Sequence, residues 1–197
     1  FILADDLRWN SLKCMGTDYL ITPNIDALAE TGLRFSNAYV TTSISCVSRA
    51  SILTGQYMSR HGITGFDKNI TPQKATQTYA GILREAGYWT GFVGKYGFGK
   101  GRAADFDYSA FTEKLIHWLP VDPVTKIEKL EGGYTHILGD SIHITEKHAQ
   151  DAIRFLKTRP ADKPFNLSVS FYATHAEDAH PDQFRYQLSS EKYYQDV

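Results

Sequence analysis

The sequence lacks several features that would point to common classes of partner. Its 197 residues include two cysteines, Cys14 and Cys46, and no C-x-x-C pair, which argues against a disulfide framework or a zinc site. It has no run of about 18 apolar residues, so no segment is predicted to span a bilayer. The formal net charge is −1, whereas proteins that bind nucleic acid or membrane surfaces usually carry a basic excess. These absences argue against nucleic-acid and membrane partners.

The composition is that of an ordinary globular protein, with 42% hydrophobic and 22% charged residues. A chain of this length can bury a sizeable core and form one domain. It starts inside an apolar run at Phe1 and stops at Val197 without a capping or breaking residue. We therefore expect a fragment of a longer protein, with any signal peptide outside the sequence.

Hydrophobic patterning predicts strands that alternate with helices. Strands are expected over 1–4, 33–40, 89–93 and 165–172. Helices are expected over 22–30, 48–54, 77–86 and 142–157. Residues 101–139 are expected to form an irregular excursion over the site. This alternation indicates an α/β fold with a largely parallel central sheet, in which ligands bind beyond the carboxyl ends of the strands. Asp5 and Asp6 follow the first predicted strand. Lys95 and His175 follow two others, so we expect one shared site.

The segment 45–57 holds the densest chemical pattern. Ser45 lies at the predicted mouth of a short helix, and Arg49 follows about one turn later. A helix N-terminus offers free N–H groups and the positive end of the helix dipole, which suit an anion. Arg49 can therefore steady a modified side chain at position 45 or a bound oxyanion. For the bare pattern S-x-x-x-R, a serine cap followed by a surface arginine is the simpler interpretation.

The longer pattern resembles the signature of the sulfatase family, C/S-x-P-S-R-x-x-x-L-T-G, within the alkaline-phosphatase superfamily. The matching positions are Ser45, Ser48, Arg49 and 53–55. Further segments resemble family elements in the expected order: the opening strand with Asp5 and Asp6, the first helix from Thr22, the turn 60–62, Gly94-Lys95 at the G-K-W-H element, and 173–176 at the A-P-H-A element. The resemblance implies an alkaline-phosphatase-like three-layer sandwich. Residues 1–197 would be the N-terminal part of its catalytic domain, without the remainder or any C-terminal subdomain.

The resemblance also implies hydrolysis of sulfate esters by formylglycine chemistry. In the family the first signature residue is oxidised to formylglycine, whose hydrate attacks sulfur with one hydroxyl and helps to expel sulfate with the other. A plain serine hydroxyl is a weak nucleophile unless it is activated. Turnover should therefore depend on a formylglycine-generating or serine-converting maturation enzyme acting on Ser45.

Two departures from the signature bear on that conversion. Most members carry Cys where Ser45 stands, and a smaller bacterial group carries Ser; an engineered Cys-to-Ser change that traps substrate fits equally. Val47 replaces the usual Pro or Ala, which puts recognition by some converting enzymes in doubt. Cys46 is interpreted as a packed residue, because a shift of one residue turns a side chain by about 100° around a helix.

A metal site follows from the same resemblance. Asp5, Asp6 and the oxygen of residue 45 would hold Ca²⁺, or Mg²⁺ as in some members, and hard oxygen ligands suit both ions. The family supplies two further ligands, an Asp and an Asn or His, from a later segment that this sequence does not contain. Three ligands alone should bind the metal poorly.

The predicted catalytic residues are Ser45, Arg49, Lys95 and His175. Lys95 would place a positive charge near the sulfate, and His175 would protonate the leaving alkoxide, a role that suits an imidazole in general. Tyr96 and Gly97 replace the family's Trp and His after the lysine, so the role of that His is absent or filled elsewhere.

The remaining histidines carry weaker predictions. His61 is expected to hold the turn after the signature helix, whereas spacing gives little support for His136 or His143 at the site. His180 could line the entrance, and the acidic pair 177–178 could accept hydrogen bonds from sugar hydroxyls.

By analogy with the family, the substrate would be a sulfated carbohydrate and the location periplasmic or secreted. Two alternatives stay open. One is a phosphate or phosphonate ester hydrolase that uses Ser45 directly. The other is a non-catalytic fragment that binds sulfate esters.

Overall fold

Four parallel strands form the main sheet of the computed structural model, which describes residues 1–112, 115–120, 137–138 and 141–195. The strands are β1 (Ile2–Ala4), β2 (Trp89–Gly94), β3 (Tyr108–Phe111) and β7 (Phe165–Phe171), in the spatial order β1-β7-β2-β3. Val169 on β7 pairs with Ile2 on one side and with Val93 on the other. The carboxyl ends of the strands therefore meet at one edge of the sheet.

A smaller antiparallel sheet and seven described helices complete the architecture. The small sheet consists of β4 (Trp118–Pro120), β5 (Ile137–Leu138) and β6 (Ser141–His143), in the order β4-β6-β5. The helices are α1 (Pro23–Thr31), α2 (Ser45–Thr54), α3 (Met58–His61), α4 (Pro72–Ala75), α5 (Tyr79–Glu85), α6 (Ile144–Thr158) and α7 (Leu188–Glu191), with 3₁₀ turns at Lys13–Met15 and Ala103–Asp105. Across the described ranges, no helix is both long enough and apolar enough to cross a membrane.

The main sheet is covered on both faces, because successive side chains of β2 point in opposite directions. Phe92 packs in the cluster formed with Val47 and Leu53 of α2. Its neighbour Val93 packs in a second cluster with Phe155 of α6. The sheet is thus the middle of three layers, and the predicted α/β class is confirmed.

The prediction of a strand over 33–40 was wrong. These residues form bends and irregular chain, and all eight are exposed, Leu33 and Tyr39 to 88% each. Their alternating pattern finds no partner strand in the described part of the chain, and a strand without a partner leaves its backbone groups unpaired.

Other predicted helix boundaries differ from the observed ones by a few residues. The signature helix starts at Ser45, one turn before the predicted 48. The helix predicted from 77 begins at Tyr79, because the Thr78 side chain accepts a hydrogen bond from the Gly81 N–H and caps it. The helix predicted from 142 begins at Ile144, because the preceding residues belong to β6. The region 101–139, expected to be irregular, contributes β3 to the main sheet.

The α6 layer gives a direct test of this packing. Phe155 is 0% exposed and lies against Gly91 of β2, whereas the next residue, Leu156, is 44% exposed. We expect Phe155→Ala to lower the free energy of unfolding by about 3–5 kcal/mol, because it opens a cavity between helix and sheet. Leu156→Ala should cost less than about 1 kcal/mol. Equal losses in urea denaturation would contradict the assignment of faces.

Two buried histidines on this side of the sheet are held neutral. Burial lowers the pKa of His148 to about 4, and the nearby charge of Lys147 lowers it further. Burial also lowers the pKa of His143 to about 4, against an opposing hydrogen bond to the Arg185 carbonyl. In the unfolded chain both imidazoles would have a pKa near 6.5. Between pH 6.5 and 4 the two histidines are therefore protonated in the unfolded chain but not in the folded one.

The resulting prediction is that stability falls as the pH falls from about 6.5 to 4, and that these two histidines contribute to the slope. His148→Gln should reduce that slope by up to about 1.4 kcal/mol per pH unit, the value for one proton. Denaturation curves of both proteins at several pH values measure it. An unchanged slope in the variant would show that His148 titrates normally in the folded state.

Candidate active site

Arg49 is the centre of the site. It lies on the buried side of α2 and is 6% exposed. Its Nε donates to Ser45 Oγ at 3.1 Å, its Nη1 donates to the Lys95 carbonyl at 2.7 Å and to Ser170 Oγ, and its Nη2 pairs with Asp5 Oδ1 at 3.0 Å. The bond to Ser45 corresponds to one of the two roles expected for Arg49, that of steadying residue 45, which stays a prediction.

The glycines around Lys95 let the backbone approach Arg49. Gly97 has a φ of +86°, and a Cβ there would lie 2.3 Å from Arg49 Cδ. Gly94 has a φ of +96°, and a Cβ there would lie 2.0 Å from the Ser170 carbonyl oxygen. Both positions therefore require glycine. The close approach brings the Lys95 carbonyl within reach of the guanidinium.

Lys95 turns its ammonium group inward. The residue is 4% exposed, and its Nζ lies 2.5 Å from Asp5 Oδ2 and 5.4 Å from the centre of the Tyr172 ring. Burial, reinforced by nearby carboxylates, raises the pKa of Tyr172 to about 12, so the phenol stays protonated and donates to the Ala176 carbonyl at 2.6 Å. The ring can therefore act as a neutral cation–π partner of the lysine.

His175 reaches the site from the chain after β7. Its ring stacks on Tyr172 at 5.1 Å, its Nδ1 lies 2.5 Å from the Ala176 carbonyl oxygen, and its Nε2 lies 3.7 Å from Asp6 Oδ2. Because Nδ1 faces a carbonyl, it carries a hydrogen. The nitrogen that can gain and lose a proton is therefore Nε2, on the side of Asp6.

The described residues do not form a metal site on their own. Asp6 has a φ of +55°, so the backbone turns after Asp5, as expected at a strand end, and the Asp6 side chain is 65% exposed. Both carboxylate oxygens of Asp5, however, already face Arg49 and Lys95. No group of three or more His, Cys, Asp or Glu within the described ranges is arranged to hold an ion.

Several weaker predictions can be compared with the structure. His61 is buried, accepts a hydrogen bond from the Ile63 N–H at 3.0 Å and contacts Ser51 Oγ at 3.1 Å, an arrangement that holds the turn after α3. Cys46 is 1% exposed in the core, and both cysteines are free. His136 lies outside the described residues.

Glu177 does not lie where a sugar hydroxyl could reach it. It is 4% exposed, and its carboxylate accepts hydrogen bonds from the His117 N–H and from the Arg185 side chain. His143 lies in the same buried group, whereas Asp178 is exposed.

Sequence reasoning missed Ser170 and Tyr172. Ser170 accepts from Arg49, and Tyr172 contacts both Lys95 and His175. Their position was the signal that could have identified them, because both lie at the carboxyl end of the predicted strand 165–172, where parallel sheets bind ligands.

Comparison with known proteins gives consistent matches. The family model for sulfatases matches residues 1–196. An N-acetylglucosamine-6-O-sulfatase of Bacteroides thetaiotaomicron is 32% identical over 183 residues, covering 89% of this chain and 30% of the relative. The chain thus spans about a third of that relative's length.

Solved structures agree with the fold. A complex of an enzyme with its substrate D-glucosamine-2-N,6-O-disulfate superposes with a TM-score of 0.66 at 27% identity, covering 89% of this chain and 34% of the other. A putative sulfatase of Bacteroides fragilis superposes with a TM-score of 0.73 at 20% identity, covering all of this chain and 47% of the other. The expected alkaline-phosphatase-like architecture is confirmed.

The two adjacent aspartates should differ sharply in stability tests. Asp5→Asn leaves two buried cations without their charge partner, and we expect it to lower the free energy of unfolding by about 3–5 kcal/mol. Asp6→Asn should cost less than about 0.5 kcal/mol, because the side chain is exposed and asparagine tolerates a positive φ. Urea denaturation with a chelator present separates this effect from metal binding. Similar losses in both variants would contradict the ion pairs described above.

Proposed function

This chain belongs to the sulfatase family, and we propose that the protein hydrolyses a sulfate ester of a carbohydrate at the site centred on Arg49. The observation that carries the proposal is the bond from Arg49 to Ser45 Oγ at the start of α2, beside the buried pair of Asp5 and Lys95. These residues stand at the positions where the family signature and its flanking elements match.

Residue 45 is the proposed nucleophile. Its Oγ, present here as a serine hydroxyl, represents one of the two oxygens of the active form, hydrated formylglycine. As hydrated formylglycine, the residue would supply one oxygen to sulfur and a second to expel sulfate. Arg49 holds that oxygen at 3.1 Å and fixes its direction. No side chain caps the start of α2, so its first backbone N–H groups remain available to an anion.

His175 is the proposed proton donor to the leaving alkoxide. When the S–O bond to the sugar breaks, the departing oxygen needs a proton, and His175 Nε2 is the nitrogen able to give one. That nitrogen faces Asp6 Oδ2 at 3.7 Å. Lys95 contributes positive charge behind Asp5 and keeps that carboxylate in place.

The charges of the site support a divalent cation as part of the complete enzyme. Asp5 and Asp6 formally cancel Arg49 and Lys95, so these four groups give no net attraction for an anionic ester. Ca²⁺ or Mg²⁺ would supply that charge. We propose Asp5, Asp6 and the oxygen of residue 45 as three of its ligands, with the remaining ligands outside the described residues.

The substrate class follows from the relatives. One curated relative is named for 6-O-sulfated N-acetylglucosamine and a solved neighbour was captured with a disulfated glucosamine, which supports a sulfated amino sugar as a starting substrate. We further propose that the chain is the N-terminal part of the catalytic domain, that a maturation enzyme converts residue 45, and that the protein acts in the periplasm or outside the cell.

The test is to measure the modification and the turnover in the same preparations. Peptide mass spectrometry reports whether residue 45 has lost two hydrogen atoms, and ion chromatography reports sulfate released from N-acetylglucosamine-6-sulfate. We expect turnover in proportion to the converted fraction. Ser45→Ala should lower it by roughly 10³-fold or more, because the attacking oxygen is gone.

Ser43→Ala is the matched control, since this exposed serine lies just before α2, and it should leave turnover unchanged. Full hydrolysis of a phosphate ester by protein with unmodified Ser45 would overturn the proposal and favour the phosphatase alternative. Binding of the sulfated sugar without turnover by converted protein would favour a binding role.

A further inference from the structure

A buried polar group adjoins the backbone of His175. It consists of His117, His143, Glu177 and Arg185, called here the Glu177 cluster. His117, His143 and Glu177 are 2%, 4% and 4% exposed, and the Arg185 side chain is 26% exposed. None of these residues takes part in the chemistry proposed above. Burying an ion pair gives little net stability, so its retention calls for another reason.

Glu177 anchors the cluster through one carboxylate oxygen. Its Oε2 accepts from the His117 backbone N–H at 2.9 Å and from Arg185 Nη2 and Nε at 2.5 and 3.2 Å. Burial alone would raise the pKa of Glu177, but the hydrogen bonds from Arg185 and His117 outweigh it and lower the pKa. The carboxylate is therefore charged, and its Oε2 accepts three hydrogen bonds.

The His117 ring joins the two ends of one loop. Its Nδ1 accepts from the Arg185 backbone N–H at 3.2 Å, so its Nε2 carries the hydrogen and donates to the His175 carbonyl at 2.9 Å. Within the loop, the Glu177 N–H donates to the Gln183 carbonyl at 2.7 Å. One imidazole thus closes the chain between His175 and Arg185.

His143 holds the far end of the same loop from β6. Its Nδ1 accepts from the Thr145 N–H at 3.3 Å, so its Nε2–H donates to the Arg185 carbonyl at 3.0 Å. Its ring stacks on His117 at 5.9 Å. The backbone of Arg185 is therefore held at its N–H by His117 and at its carbonyl by His143.

The ring of His175 stacks on Tyr172, three residues earlier in the chain, and its Nδ1 faces the carbonyl of the next residue, Ala176. Both contacts belong to the same stretch of chain, so the position of the ring follows the local backbone. The His175 carbonyl is fixed by His117. A displacement of about 1 Å at a catalytic group can reduce a rate about 100-fold.

We propose that the Glu177 cluster is a positioning device, in which His117 fixes the His175 carbonyl and so holds the His175 imidazole where the leaving group departs. The inference rests on the proposed function, because it assigns the cluster a part in sulfate-ester hydrolysis. His117, Glu177 and Arg185 are positioning residues and do not touch the substrate.

The test uses two substitutions of His117 by residues with an amide side chain. Each can keep one of the two hydrogen bonds that the His117 ring makes, the bond to the His175 carbonyl or the bond from the Arg185 N–H. In His117→Gln the side-chain amide reaches the Nε2 position and can still donate to the His175 carbonyl. In His117→Asn the amide reaches the Nδ1 position and can still accept from the Arg185 N–H. Measurements of kcat, KM and amide hydrogen exchange are made on the mature protein with residue 45 converted to the same extent.

We expect His117→Asn to lower kcat roughly 10- to 100-fold with KM changed less than about threefold, and His117→Gln to keep most of kcat. Exchange at the Arg185 amide should show the opposite order, faster in the glutamine variant than in the asparagine variant. If His117 had only a structural role, the variant that loses more folding stability would also lose more activity.

Equal kcat values in the two folded variants would overturn the inference, as would a loss confined to KM. If His117→Asn does not fold, Glu177→Gln replaces it, with the same fall in kcat expected and Asp162→Asn, an exposed carboxylate before β7, as the unchanged control. Wild-type protein that is converted at residue 45 and releases no sulfate overturns the proposed function itself, and this inference with it.

Discussion

Arg49 is a guanidinium that stays charged at any relevant pH and is almost completely withdrawn from water, and that combination constrains the whole molecule. Such a group is tolerated only where acceptors surround it. The acceptors come from four parts of the chain: Ser45 on α2, Asp5 after β1, the Lys95 carbonyl after β2, and Ser170 on β7. Satisfying one side chain therefore draws three strand ends and a helix N-terminus to one place.

The same constraint prepares the site for chemistry. The residue-45 oxygen, the Asp5 carboxylate and Lys95 are held in position before any substrate arrives, so little reorganisation accompanies the reaction. The formal charges of the two carboxylates and two cations cancel, so in the proposed mechanism the helix N-terminus and a divalent cation would attract the anionic ester. His175 stands at the edge of this group, tied to it through the Tyr172 ring.

What could be predicted from the sequence was what local pattern determines. Residues 45–55 and the aspartates after the first strand were singled out because several segments, in order along the chain, resemble the sulfatase family; the bare S-x-x-x-R pattern alone favoured a serine cap. The strand expected over 33–40 failed because alternation predicts a strand only where a partner exists. Glu177 was expected at the substrate entrance, yet it turns inward because His117, distant in sequence, and Arg185 meet it there. Such long-range pairings leave no periodic signal.

The most direct measurement of the central claim uses the protein with Ser45 left unmodified. Attack by Ser45 Oγ on a sulfated sugar would form an O–S bond, break the bond from sulfur to the sugar oxygen and pass the serine proton to the sugar. Serine has no second hydroxyl with which to expel sulfate, so the account predicts one equivalent of desulfated sugar and a stable sulfate ester on Ser45, detected by mass spectrometry of its peptide. Continued sulfate release from unmodified protein, or a sulfate group on another residue, would contradict it.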